Sequence, residues 1–287
     1  MSITIKDIAK KAGVSPSTVS RTINNHYSIS EETKDKIRKV MDELGYVYDK
    51  SHLKKHDIGV VFPRSMVDVY ENPFYLEIVR GISYICNKER YSLHIITGSD
   101  VREMKTSMEI ADCEGYIFLN ASIDTSVTDY LREHMIPYIV IGKPPMPSIT
   151  SISVDTDNVQ AGYEAVKYLL KKGHQKIGYI GEKKDAQYSI DRRLGYIQAL
   201  SEAGYTVEEH YIKNLSSSYS YNPSEILELL RSDDCPSAFM VCDDIYAVIM
   251  TRLINEVGKK VPDDISIVSF NNSIFARFSE PPLTSID

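Results

Sequence analysis

The chain has 287 residues, 43% hydrophobic and 25% charged, which is the balance of an ordinary soluble globular protein and excludes a disordered or fibrous one. That length exceeds one small core and suits roughly two or three compact units. No apolar run reaches the roughly 18 to 20 residues of a membrane span, and the N-terminal MSITIKDIAKKAG lacks the apolar centre of a secretory signal, so the chain reads as cytoplasmic with no membrane partner.

The net charge of −7 looks wrong for a protein that neutralises phosphates, but it conceals a split. Residues 1–56 carry eleven Lys/Arg against seven Asp/Glu, a net of +4, which leaves −11 for the rest. A basic head on an acidic body confines attraction for nucleic acid to one end of the chain. The cysteines, Cys86, Cys113, Cys235 and Cys242, form no C-x-x-C pair and have no histidines at metal spacing. They read as buried free thiols, and neither metal nor cofactor is expected.

In chain order, Thr4 precedes a run in which Ile5, Ile8, Ala9 and Ala12 fall at helical spacing, with Asp7 placed as in a capping box. The first helix is therefore predicted over about 5–12. Gly13 suits its left-handed end, and Ser15-Pro16 supplies an N-cap and a first-position proline for a second helix. The gap Gly13-Val14-Ser15 is the short turn of a helix-turn-helix, with Val14 filling the angle. Ser30 caps a third helix over 31–44, whose Ile37, Val40, Met41 and Leu44 face inward and which Gly45 ends. The second helix would enter a major groove by its N-terminal end. Ser17 and Arg21 share one face of it, and Arg21 has the fork that grips guanine O6 and N7. Ser15, Thr18, Ser20, Asn24 and Asn25 suit phosphate or sugar contacts, which position without specifying.

TIKDIAKKAGVSPSTVSRTIN followed by ISEETKDKIRKVMDELGY resembles the head of the lactose-repressor (LacI/GalR) family of bacterial transcription regulators, and the likeness runs through almost the whole chain. The resemblance implies that Pro16, Ser17 and Arg21 read operator DNA, with Thr4 among the other DNA contacts. It also implies a hinge helix after GY that wedges leucines into the minor groove. Here GYVYDKSHLKKHDIGVV departs from that pattern: Tyr48 and Asp49 replace the usual proline and asparagine, the Ala-Arg pair is absent, the stretch is short, and Leu53 is the one candidate wedge. The domains expected are a head over 1–46, a linker over 47–57 and a body over 58–287.

From Ile58 short apolar strands (IGVVF, SLHII, GYIFLN, YIVIG, KIGYIG, SAFMVC, ISIVSF) alternate with helices expected near 74–89, 103–111, 126–134, 158–172, 189–203 and 244–257. That alternation predicts parallel sheets covered by helices, with ligand loops at the strands' C-terminal ends. The fold class is an all-α three-helix helix-turn-helix head joined to an α/β two-lobed body with parallel sheets, which the resemblance makes a type I periplasmic-binding-protein core. Its lobes are expected over about 58–157 and 158–287. No G-x-G-x-x-G, G-x-x-x-x-G-K-[ST] or G-x-S-x-G occurs, so binding rather than catalysis is expected.

The resemblance also says which residues would hold a sugar. RRLGYIQAL places Arg192 in the cleft, CDD offers Asp243 with Asp244 as the cap of the next helix, and VSFNNS puts Asn271 where the family has an aspartate. Phe74, Tyr219 and Tyr221 are candidate stacking faces, and Lys143 follows its strand into the cleft. YENPFYLEIVRGIS, VDTDNVQAGYEA and PYIVIGK are similar to maltose-operon repressors of Gram-positive bacteria, which implies maltose or a maltodextrin as effector, homodimerisation, and release of double-stranded operator DNA on sugar binding. Family members continue beyond PPLTSID, so the C-terminal end of the body is expected to be missing. Two rival readings remain: a catabolite-control-type regulator answering to a phosphorylated partner protein, and a sugar-binding protein whose head is incidental.

Overall fold

The structure, a computed structural model, describes residues 3–23, 28–46, 56–62, 72–119, 123–144, 152–182, 186–215 and 222–287. Its contacts divide the chain into two compact units, Met1–Lys55 and His56–Asp287.

The first unit holds α1 (Ile5–Ala12), α2 (Pro16–Ile23) and α3 (Glu31–Glu43). Asp7 starts α1 by accepting both the N–H of Thr4 at 2.9 Å and its hydroxyl at 2.7 Å. These two bonds hold the Asp7 carboxyl below its usual pKa. Gly13 ends α1 at φ 68°, a left-handed conformation that glycine adopts without a Cβ penalty. Ser15 Oγ accepts the N–H of Thr18 at 3.1 Å and so caps α2, while Ser30 Oγ accepts that of Thr33 at 3.3 Å and caps α3. Ile8, Ala9, Ala12, Val19, Ile37 and Val40 are buried together, with Val14, Met41 and Leu44 packed against them. One small core thus fixes the angle between α1 and α2.

The second unit contains two five-stranded, all-parallel sheets. The first comprises β1 (Asp57–Val61), β2 (Ser92–Ile96), β3 (Gly115–Phe118), β4 (Tyr138–Ile141) and β5 (Ile152–Val154) in the order β2-β1-β3-β4-β5. In its centre Val60 pairs with Ile95 on one side and Ile117 on the other. Its strands are joined by α4 (Pro73–Glu89), α5 (Val101–Ala111) and α6 (Thr125–Glu133). The second sheet comprises β6 (Ile177–Glu182), β7 (Ile212–Leu215), β8 (Ala238–Val241), β9 (Ser266–Phe270) and β10 (Thr284–Ile286) in the order β10-β9-β8-β6-β7. Its helices are α7 (Asn158–Lys171), α8 (Gln187–Glu202), α9 (Ser224–Arg231), α10 (Asp244–Glu256) and α11 (Ile274–Phe278).

The seven strands expected from sequence are all present, and so are the six expected body helices within two residues at either end. β5, β7, β10, α9 and α11 were not anticipated. β5 and β10 have three residues each, too few to show alternation, and β7 reads IKNL, with Lys213 and Asn214 breaking its apolar run.

The core of the second lobe is continuous from α7 through the sheet to α10, with Leu169, Tyr179, Tyr196, Phe239, Phe270 and Met250 among its buried members. Helices α7 and α8 cross on glycines. A Cβ on Gly195 would lie 2.0 Å from the carbonyl oxygen of Val159, and one on Gly162 would lie 2.2 Å from that of Arg192. Only a hydrogen fits at either position. Gly195→Ala is therefore expected to destabilise the body by about 1–3 kcal/mol, the usual cost of overpacking, visible as a lower urea midpoint with operator-binding residues untouched.

Candidate functional site

In the head, α2 buries Val19 and Thr22 and turns Pro16, Ser17 and Arg21 outward. Ser15, also exposed, places its hydroxyl 2.7 Å from that of Ser17 and 2.8 Å from that of Thr18, which is half-buried like Ser20. The N-terminal turn of α2 is thus a cluster of hydroxyls at a helix N-terminus, with a guanidinium one turn further on. Hydroxyls and N–H groups in this arrangement donate to phosphate oxygens, and an arginine so placed is free to reach a base edge. Thr4 stands apart, since its hydroxyl is committed to Asp7. Asn24, Asn25 and Leu53 lie outside the described residues.

In the body, the polar side chains gather at the C-terminal ends of the parallel strands. Arg192, on α8, is only 7% exposed, and two of its three nitrogens are hydrogen-bonded. Its Nε donates to Asn158 Oδ1 at 2.9 Å and its Nη1 to the carbonyl of Cys242. Its guanidinium carbon lies 4.2 Å from the ring centroid of Phe270 and 5.1 Å from that of Tyr188. The Tyr188 hydroxyl donates in turn to Glu182 at the end of β6. Planar nitrogens bonded at the edge and rings at the faces leave Arg192 one orientation.

Beside it, Asp191 is 4% exposed and accepts from Gln187 Nε2 at 2.7 Å and from Lys143 Nζ at 3.0 Å. Lys143 follows β4 of the first sheet, whereas Asp191 belongs to α8 over the second, so this ion pair joins the two lobes. A second link runs parallel to it. Asp155, just after β5, accepts from Asn158 Nδ2 at 3.3 Å, and Asn158 holds Arg192. Desolvation raises the Asp155 carboxyl above its ordinary pKa, and the nearby charge of Asp191 adds to the rise.

The expectation that Asp244 caps α10 is corrected. Asp243 is the cap, its Oδ1 accepting the N–H of Ile245 at 2.8 Å, while its Oδ2 accepts Asn271 Nδ2 at 2.8 Å. Asp244 points into the lobe and accepts from the hydroxyls of Ser269 and Ser285 and from the N–H of Ser273, which ties β9, the loop after it and β10 together. In a pair of adjacent aspartates either could serve as the cap; the serines that claim the second are distant in sequence. Asn271 sits at φ 93° with its N–H bonded to the carbonyl of Ile286, so β10 sets its position.

The structure thus brings together Lys143, Arg192, Asp243 and Asn271 at the strand ends, and adds Asp155, Asn158, Tyr188 and Asp191, which sequence reasoning passed over. Asp191 was legible only as the residue before the family's arginine. Phe74 is 38% exposed on α4, with its ring edge-on to Tyr75 at 5.5 Å. Among the described residues no hydrogen bond, ion pair or ring contact joins Phe74 to the Arg192 group. Tyr219 and Tyr221 lie outside the described residues. Burial pushes the Cys242 thiol and the Tyr188 phenol up, so both stay protonated at neutral pH. The described residues contain no group of three or more His, Cys, Asp or Glu able to hold a metal ion, and no described helix is long and apolar enough to cross a membrane.

A three-helix head with an outward-facing second helix, followed by two parallel-sheet lobes with a polar seam at their strand ends, defines a DNA-binding regulator with a ligand-type core. Residues 4–49 match the profile of bacterial regulatory proteins of the lacI family, and residues 166–287 match that of the periplasmic binding protein-like domain. The transcriptional regulator MalR of Streptococcus pneumoniae is 34% identical over 290 residues, spanning 95% of this chain and 84% of MalR. Catabolite control protein A of Priestia megaterium is 28% identical over 298 residues, spanning 100% of this chain and 87% of that protein. Among solved structures, the complex of the transcriptional regulator CelR with cellobiose superposes with a TM-score of 0.72 at 27% identity, covering 99% of this chain and 87% of that one. The chain belongs to the lacI family and is a sequence-specific DNA-binding transcriptional regulator.

Asp243 gives the seam a pH signature. Burial lifts its carboxyl to about 7, opposed by the Ile245 N–H and the charge of Arg192 and reinforced by Asp244 and Glu182. The folded carboxyl holds its proton more tightly than the unfolded one, so its contribution to stability is complete below about pH 4 and is lost as pH rises to about 7. Asp243→Asn keeps an oxygen for the Ile245 N–H and is expected to remove this slope, worth on the order of a few kcal/mol. Urea denaturation of both proteins at pH 4.5 and 7.5 checks it: the stability gap between them should shift toward the variant at the higher pH.

Proposed function

We propose that the chain represses sugar-utilisation genes and that a saccharide, maltose or a maltodextrin, bound between the lobes of the body releases it from operator DNA. The observation that carries this reading is the seam itself: Arg192 fixed between two rings, beside Asp191, Asp243 and Asn271, at the C-terminal ends of parallel strands. A few convergent polar groups suit a polyol, whose hydroxyls both donate and accept. One guanidinium nitrogen, Nη2, remains for such a hydroxyl, and the Asp243–Asn271 pair offers an acceptor and an amide. Phe74, Lys143, Tyr219 and Tyr221 complete the proposed effector set. The similarity to MalR supports a maltose-type effector, and the likeness to the CelR complex with cellobiose supports a disaccharide in this cleft. The protein holds its effector without converting it, and does so in the cytoplasm, where operator DNA lies.

In the head, Pro16, Ser17 and Arg21 read bases, while Ser15, Thr18, Ser20, Asn24 and Asn25 grip the backbone and Leu53 contacts the minor groove. One head reads few base pairs, so the protein acts as a homodimer on a pseudo-palindromic site. The domains follow as a head over 1–46, a linker over 47–57 and an effector-binding body over 58–287. Effector and operator weaken each other's binding by the same factor.

Fluorescence anisotropy on an operator selected from random DNA by this protein tests the coupling. Maltose is expected to lower operator affinity, and an unchanged affinity at saturating maltose would remove it as effector. Release on adding a phosphorylated partner protein instead would favour catabolite-type control, the direction of the likeness to catabolite control protein A. Arg21→Ala is expected to cost about 1–3 kcal/mol against the cognate site and little against random DNA, whereas Thr18→Ala should weaken both alike.

A further inference from the structure

The two cations whose contacts place them in the seam are both already committed. Lys143 Nζ is bound to the carboxylate of Asp191 at 3.0 Å. Arg192 spends two of its three nitrogens on Asn158 and the Cys242 carbonyl, with rings over its faces. The carboxylates nearby are more numerous. Asp191 is 4% and Asp243 6% exposed, Glu182 is half-buried against Tyr188, and Asp155 closes the far side beyond Asn158. A hydroxyl entering this seam finds acceptors and one free guanidinium nitrogen. A phosphate would meet the buried charge of Asp191, with Lys143 Nζ already paired to it and only the one free nitrogen of Arg192 to answer its own charge.

Resting on the saccharide reading above, we infer that Asp191 is a specificity determinant which, by pairing with the partly exposed Lys143 across the lobe boundary and carrying its own buried charge, restricts the cleft to uncharged saccharides and rejects their phosphate esters. Gln187 contributes by holding the other oxygen of Asp191, so the carboxylate stays aimed at Lys143 when the lobes move. Replacing Asp191 by its neutral isostere removes one negative charge and frees one positive charge in a single change. That reverses the local balance without altering volume, so the variant should gain a ligand rather than merely lose one.

Isothermal titration of the full chain with maltose and with maltose 6'-phosphate, in a buffer free of phosphate, tests this. The unaltered protein is expected to prefer maltose by at least about tenfold, and Asp191→Asn to erase about tenfold of that preference through tighter binding of the phosphate ester. Lys143→Gln, which deletes the cation and leaves the carboxylate, should bind the ester no more tightly than the unaltered protein. It also carries the test if Asp191→Asn melts too low to titrate. Equal affinity of the unaltered protein for both sugars, an unchanged preference in Asp191→Asn, or tighter ester binding by Lys143→Gln would each overturn the inference while leaving the saccharide reading standing. No binding of either sugar by the unaltered protein would overturn both.

Discussion

Arg192 carries its charge in the interior of the second lobe, and much of the body is arranged so that it can. An isolated buried guanidinium would be costly, so much of it is met: Asn158 and a carbonyl at the edge, Phe270 and Tyr188 at the faces. Those partners come from α7, from the end of β8, from β9 and from α8 itself, so the demand of one side chain fixes the relative positions of four elements. The glycine crossing of α7 and α8 serves the same end. Asn158 and Arg192 meet because the helix axes approach more closely than any pair of side chains would allow.

The same logic extends to the boundary between the lobes. Asp191 immediately precedes Arg192 and reaches Lys143 of the first lobe, so the helix that locks the cation also presents an anion across the seam. Asp155 and Asn158 provide a second bridge within a few residues of the point where the chain passes from one sheet to the other. Selectivity, lobe contact and the packing of α8 therefore depend on the same turn of helix.

Much of this was legible in sequence, and the limits are physical. The head could be read almost to the residue because its signals are local: Thr4 with Asp7, Gly13, Ser15-Pro16 and Gly45 each act within one turn. The long body elements could be read because apolar period and length agree. What escaped depends on partners far along the chain. Asp243 and Asp244 are equivalent as letters, and only the distant serines 269, 273 and 285 decide which of them turns inward. Asp191 has no local signature, since its partner Lys143 lies 48 residues away in the first lobe. Tyr188 has no local signature at all, since its role is to lie over a guanidinium one turn further along its own helix.

The contact between α7 and α8 has a mechanical consequence. Helices separated by long side chains can slide, because rotamers absorb small displacements before backbones feel them. Where glycine meets a carbonyl oxygen there is no such compliance, and a push on one backbone is delivered whole to the other. A tug on Asp191 at the seam would therefore not be dissipated in α8. It would travel as a rigid-body step into α7 and thence to the strand of chain at 155–157 by which α7 is joined to the first lobe.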